Sequence, residues 1–581
     1  MKRIFTPKSI LIYGLSFNFL IQSCSFSDKK ASSLKNDREA LYENYCMPEL
    51  ADNVWYTSSK KAPLFKGLDG IHFKISTTSK EAQAYFNQGM MLAYGFNHAE
   101  AARSFYEAAR LDSTCAMCQW GFAYVLGPNY NAGMEPDNFQ RAYDAVIRAQ
   151  KLSERSTQKE KDLIHALVSR YSIDAAIKRS VLDSAYASEM RKVYEKYPKD
   201  EDIAALFAES LMNLHPWDLF RSDGIIQPWT PEIIAVLENS LKSSPRHAGL
   251  NHFYIHVMEM SSEAGKAMPS ASLLEDLVPA SGHLVHMPSH TYIRTGRYHE
   301  GTVTNIKSVT ADSAYTEACH ASGAYPLFYN PHNYHFLAAC ATLCGESRNA
   351  MIGAYQTKAH AYKKLLLHPY FTTLQHFYTI PLFVQVKLGR WNEIQNTPEP
   401  DKELNYPRII WNYAQGMAAL AQNKPKKAGK YLNELNTIMQ DTSLKNMTIW
   451  GVNRLMDICL IASKSLDGEL QAKRGDYNGA VRLLKSAMDI EDQLKYQEPP
   501  DWFFSVRHNL GAVLFESGKY HEAIEVYKQD LVKYPENGWA LVGLMNAYNK
   551  LGDRTNYEDS KKRFDLAWKY ADIKIASSRI L

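Results

Sequence analysis

Between residues 82 and 115 the chain reads AQAYFNQGMMLAYGFNHAEAARSFYEAARLDSTC, with Tyr85 and Gly89 in a first run and Ala101, Phe105 and Ala108 in a second. Spacings of three and four put such residues on one stripe of a helix. The pattern returns at 504–537, in Leu510, Gly511, Leu514, Gly518, Tyr520, Ala523, Tyr527 and Pro535, and again from Gly538 in Leu541, Leu544, Tyr548 and Gly552. Weaker copies, anchored by a turn glycine, a small residue and a closing proline, begin near 116, 201, 248, 282, 331, 375, 409 and 461. Gly296-Arg297-Tyr298, Gly389-Arg390-Trp391 and Gly475-Asp476-Tyr477 mark three of the turns. Strand alternation is almost absent. The pattern predicts an all-α chain of roughly a dozen helix pairs, each burying its apolar face against its neighbours.

A 34-residue unit with these positions resembles the tetratricopeptide repeat (TPR). The resemblance implies a right-handed α-solenoid with a concave inner groove, lined by positions 2, 5, 9, 12 and 13 of each unit. FNHAEA (96–101), CAMCQWG (115–121), GPNYN (127–131), HLVHMPSHTY (283–292), HNYHFL (332–337) and ENGWAL (536–541) occur together in this order. In this the chain is similar to a family of long bacterial TPR proteins, across 80–560. That likeness implies the fold and leaves the chemistry to the residues.

The histidines point to where that chemistry is. NHFYIHVMEM (251–260) and VHMPSHTYIR (285–294) each carry His-x-x-x-His, and the two copies lie one repeat period apart. In the unit from 248, His252 and His256 take positions 5 and 9. In the unit from 282, His283, His286 and His290 take 2, 5 and 9, with Arg294 at 13. His332 and His335 take 2 and 5 of the unit from 331, His376 takes 2 of the next, and His508 takes 5 of the unit from 504. Nine of the 19 histidines thus fall at positions where chance would put about one. Histidines at i and i+4 share a helix face and can reach one ion.

His252, His256, His286 and His290 are therefore the predicted metal ligands, forming one four-histidine site or two neighbouring sites. His283, His332, His335, His376, Glu209, Glu259 and Arg294 are expected around them. Imidazole-rich ligation suits zinc, copper or iron. A metal-free pocket for a polar ligand, or inheritance of packing residues through duplication, would leave the same pattern. Against inheritance, Phe253, Tyr254 and Ile255 have become Met287, Pro288 and Ser289 while the histidines stayed. Pro288 should start or kink a helix, the insertion around 320–331 is a lid or a surface excursion, and GPNYN, 213–217 (NLHPW) and 496–502 (YQEPPDW) are expected to supply polar walls.

With 66 basic and 62 acidic side chains and a net charge of +4 there is no basic stripe, which argues against nucleic acid. Lys2 and Arg3, the apolar run 9–21 and Gln22-Ser23-Cys24 resemble a bacterial lipoprotein signal, with Cys24 the lipidated residue. That places the chain in the cell envelope, touching membrane only through its anchor. Of eight cysteines, Cys115/Cys118 and Cys340/Cys344 are close pairs that suit burial, a disulfide, or a metal or redox role. The expected organisation is a signal at 1–23, a tether and extension at 24–80, TPR-like helices at 81–247, His-rich units at 248–375 and C-terminal units at 376–575. Two functions follow: a metal-dependent enzyme activating water or oxygen, with Arg294 fixing an anionic substrate, or a tethered scaffold holding a peptide or small polar ligand in its groove.

Overall fold

The computed structural model describes residues 53–581 except 59, 175, 222–223 and 320–324. The expected signal, tether start, lipidated Cys24 and residues 320–324 of the insertion lie outside the described residues. From Lys80 onward there are 25 α-helices; counting Gly282–His286 and Pro288–Arg294 as one helix broken at Met287 leaves 24, or twelve pairs. Each helix packs chiefly on its neighbours in sequence, as stacked hairpins must. A two-residue antiparallel ladder, Thr448–Ile449 with Asn453–Arg454, is the one strand pair among the described residues. The all-α, TPR-like architecture is as the sequence predicts.

The repeat residues have visible mechanical duties. A Cβ on Gly89 or Gly121 would come within 2.7 and 2.4 Å of the Phe105 ring, so two helices close on that ring only because both positions lack side chains. Gly511 and Gly543 grip Tyr527 in the same way, at 2.4 and 2.2 Å. Gly296, Gly389 and Gly475 turn their hairpins at φ between +66° and +88°, as their place in the pattern requires. Three inner helices start earlier than expected: those of the units from 375, 409 and 461 are Thr372–Lys387, Asn405–Ala421 and Leu455–Lys473.

The predicted groove is not open along the middle units. The last units fold back onto them: the Tyr298 hydroxyl donates to Pro535 O (2.7 Å), Trp539 Nε1 to Thr342 O (2.9 Å) and Lys387 Nζ to Ser578 O (3.0 Å). The stretch 494–506 runs between them, with the Tyr496 hydroxyl on Glu259 O at 3.0 Å. Inner positions that an open solenoid would leave wet are thereby buried. Among the described residues no helix is long and apolar enough to cross a membrane.

Candidate metal centre

Helix Ala248–Met258 is buried along its whole length and carries His252 and His256 one turn apart. The next inner helix is broken where the sequence predicts: Gly282–His286 ends at Met287 and Pro288 starts Pro288–Arg294. Gly282 is there because nothing larger fits: a Cβ would lie 1.9 Å from Asp312 Oδ1. Asp312 is buried, and burial pushes its carboxyl up to about 6, although the Tyr325 hydroxyl and Asn333 Nδ2 both donate to it at 2.7 Å. It ties the helix start to Tyr325–Tyr329, the π-helical turn at the described end of the insertion, and to the helix that carries His332.

Six imidazoles meet in one connected cluster, divided into two groups. His252, His256 and His283 bring ring nitrogens within 4.8 Å of one another, and so do His286, His290 and His332. Ring centroids are 4.7 Å apart for His252/His256, 5.0 Å for His252/His283, 4.9 Å for His286/His290 and 5.0 Å for His286/His332. The groups touch through His256/His290 at 5.8 Å and His283/His286 at 5.9 Å. Of the two arrangements open in the sequence, the structure has neighbouring sites, each enlarged by a third histidine.

The hydrogen bonds fix the tautomers. His252 Nδ1–H donates to Tyr94 O at 2.5 Å and His286 Nδ1–H to Asn305 Oδ1 at 2.7 Å. His256 Nδ1 faces Glu259 Oε1 at 3.1 Å; His290 Nδ1 faces Glu259 Oε2 at 2.7 Å and Glu498 Oε2 at 2.9 Å. Each Nε2 is then turned inward, held as a metal-binding imidazole is held; on His290, whose charge Glu259 and Glu498 favour, the Nε2 proton faces His286 Nε2 and must leave before that nitrogen can ligate. Nε2 of His252 and of His256 and both nitrogens of His283 are buried without a hydrogen-bond partner. His286 Nε2 and His290 Nε2 stand 3.0 Å apart, where two ligands of one tetrahedral ion would be ~3.3 Å apart.

Burial pushes His252, His283, His286 and His332 well below the ordinary imidazole value, with neighbouring imidazoles adding to it, so these rings are neutral and able to ligate. His290 is the exception. Burial opposes its charge, yet Glu259 and Glu498 outweigh that and raise it to about 9, while Glu259, despite its burial, is drawn down to about 2 by His290 and His256.

Aromatic walls enclose the first group. Phe96 lies 4.6 Å from His252 and 5.7 Å from His256, Tyr130 5.4 Å and Trp217 5.9 Å from His256. Phe96 and Trp217 hold φ of +54° and +60°, a conformation that costs a bulky residue ~1–3 kcal/mol. Both strained residues put their rings against imidazoles. The three segments expected as polar walls all reach the cluster, but GPNYN and NLHPW do so with aromatic rings, Tyr130 and Trp217, and YQEPPDW alone with polar groups, through Tyr496 and Glu498.

Other expected residues stand apart. Glu209 accepts from the Tyr124 hydroxyl and from Asn213 Nδ2 (3.3 Å), beside Arg170, and does not join either group. His335 stacks on Phe503 at 4.8 Å, and His376 Nδ1 pairs with the Tyr406 hydroxyl at 2.9 Å. Arg294 reaches Glu498, Nε to Oε1, at 3.9 Å. Cys115 Sγ and Cys118 Sγ, 2.9 Å apart, are buried at the start of helix Ala116–Leu126, away from the cluster. Sequence reasoning missed the individual roles of Phe96, Tyr94, Asn305 and Glu498: Tyr94 acts through a backbone carbonyl, Phe96 and Glu498 lie well over 100 residues from the histidines they meet, and Asn305 sits on the following helix outside the inner repeat positions.

No family model matches the chain, and no curated protein matches it. Among solved structures it is similar to the human IFIT1 dimer with m7Gppp-AAAA (11% identity, 86% of this chain and 92% of that one, TM-score 0.30) and to yeast Tom70 (12%, 84% and 90%, TM-score 0.26). The APC/C hetero-tetramer Cut9-Hcn1 is comparable (13%, 87% and 77%, TM-score 0.28). Likeness at that level carries no argument; the fold rests on the helices described above.

Proposed function

We propose that the imidazole cluster binds a transition metal and that the chain is a metal-dependent enzyme of the bacterial cell envelope. One observation carries the reading: inward-facing ring nitrogens, with Nδ1 pinned from behind, are buried without donors. Leaving a buried acceptor unpaired costs ~1–3 kcal/mol, a cost that a bound cation removes at several positions together. The donor set favours zinc, copper or iron. Three histidines leave a coordination position free, at which such an ion lowers the pKa of bound water to about 7. Glu259 and Glu498 hold a proton at His290 Nδ1, within reach of that chemistry.

Metal analysis of protein purified without a histidine tag tests this. At least one equivalent of transition metal is expected, with His252→Ala/His256→Ala losing an equivalent while keeping its helical circular dichroism. Metal-free protein that takes up none on dialysis would overturn the reading.

A scaffold role has its own support in an open groove of about 1090 Å³ lined by Arg348, Met351, Ile352, Tyr355, Arg390 and Glu393, where Ile352 and Tyr355 are half exposed. It lies on the outside of the middle units, so peptide capture there would leave metal content unchanged.

A further inference from the structure

Resting on that metal reading, we propose that the cluster holds two ions of unequal access: a closed one at His252, His256 and His283, and an open one at His286, His290 and His332 that accepts a small anion, with Arg294 as its anchor.

The division follows from the grouping of nitrogens. Each triad is mutually within reach of one ion, and no group among the described residues mixes the two, although Glu259, His290 and Glu498 form a third group that shares His290 with the second. At the first triad every histidine is at most 1% exposed, and Phe96, Tyr130 and Trp217 fill the near side. At the second triad His286 and His290 are at most 1% exposed but His332 is partly exposed, and Glu498, which contacts His290, also lines a cavity of about 560 Å³ of atom-free space, part of it open to solvent.

Charge at this cavity selects the visitor. Arg294, Lys495 and Lys533 line it, together with Tyr496 and Tyr534. Arg294 Nε is buried with no hydrogen-bond partner, Nη2 donates weakly to Ser261 O (3.3 Å), and the guanidinium lies over the Tyr496 ring at 5.7 Å. A guanidinium over a ring, 3.9 Å from Glu498 Oε1 and with an unpaired Nε–H, suits a planar or linear anion. Three acids line it as well: Glu498 is already engaged by His290 Nδ1 at 2.9 Å, and burial pushes the carboxyls of Glu491 and Asp501 up to about 7, so the three cations outnumber the ionised acids near neutral pH. A small acid would thus have one end on Arg294 and the other at the open ion, 294 standing one helical turn beyond 290.

Cobalt(II)-loaded full-length protein, with azide as the probe, tests each part. Two cobalt ions per chain are expected, with azide shifting the visible absorption of one. His332→Gln should lose one ion and the azide response; His283→Gln should lose the other ion and keep the response. Arg294→Met should weaken azide at least tenfold with metal content unchanged, and Arg294→Lys should weaken it less. Each variant is first checked for a cooperative melt, and Arg294→Met, which removes no histidine from either triad, remains informative if a histidine variant fails to fold. One ion per chain, lost in either histidine variant, would overturn the two-ion proposal and leave the metal reading standing. No ion at all would overturn both. An azide response that follows His283, or ignores Arg294, would overturn the division of access.

Discussion

His252 and His508 occupy the same place, position 5, in their repeats, and both are buried, at 0% and 1% exposure. They differ in what the ring nitrogens meet. His508 has Lys387 Nζ at 2.8 Å on Nδ1 and Asp530 Oδ2 at 2.9 Å on Nε2, so both its nitrogens are satisfied by the protein. His252 has Tyr94 O behind it and no hydrogen-bond partner in front, where its ring meets other imidazoles and Phe96. One position therefore serves two purposes: in the C-terminal units it ties a core together, and in the middle units it leaves a lone pair waiting. Repeat register finds the residue, and the partners decide its role.

The contrast breaks most visibly on removal of each histidine. His252→Ala/His256→Ala should lose an ion and, with metal present at about 1,000 times its dissociation constant, about 4 kcal/mol of apparent stability. That difference from wild type should shrink in a chelator, where neither protein holds metal. His508→Ala should cost about 3 kcal/mol by leaving Asp530 and Lys387 buried without their shared partner, should keep all its metal, and should cost the same with or without chelator. Melting curves in paired buffers separate the cases. If His508→Ala responded to chelator as the double variant does, the distinction would fail.

Phe96 sharpens the comparison, because its left-handed backbone holds a ring on three imidazoles, His252, His256 and His283, with no bonding role of its own. Phe96→Leu should lose about 2 kcal/mol of packing and release metal faster to a chromogenic chelator. An unchanged release rate would mean that the wall does not confine the ion.

How much of this was legible follows the same line. Helix pairs, turn glycines and the break at Pro288 could be read because each depends on residues within one 34-residue unit. His252, His256, His286 and His290 were found because a register fixed by glycine, alanine and proline projected them inward. The two-group division was not legible, since it depends on which of His283 and His332 leans toward which pair. Nor was the loss of an open groove at these units, which the chain's own 494–506 stretch fills from some 200 residues away. Glu209 shows the limit from the other side: its position was read as inward and it is buried, but Tyr124 and Asn213 engage it first.

The smallest expected effect comes from the loop that closes this inner face. Asp501 is 3% exposed and accepts from Asn453 Nδ2 at 2.8 Å, and burial raises its carboxyl to about 7 from an ordinary 3.8. The folded chain therefore keeps a proton that the unfolded chain has already released between about pH 4 and pH 7. Stability is greatest below that window and falls as pH rises through it, by at most about 1.4 kcal/mol per unit. Above about 7 both states are ionised and the loss stops. Between pH 6 and 8 the wild type should thus lose about 1.5 kcal/mol that Asp501→Asn, which keeps an acceptor for Asn453, does not. Urea melts of the two proteins at pH 6 and pH 8 measure the difference. Parallel losses would show that Asp501 is ionised throughout, and the cavity beside Glu498 would then be less positive than its cations suggest.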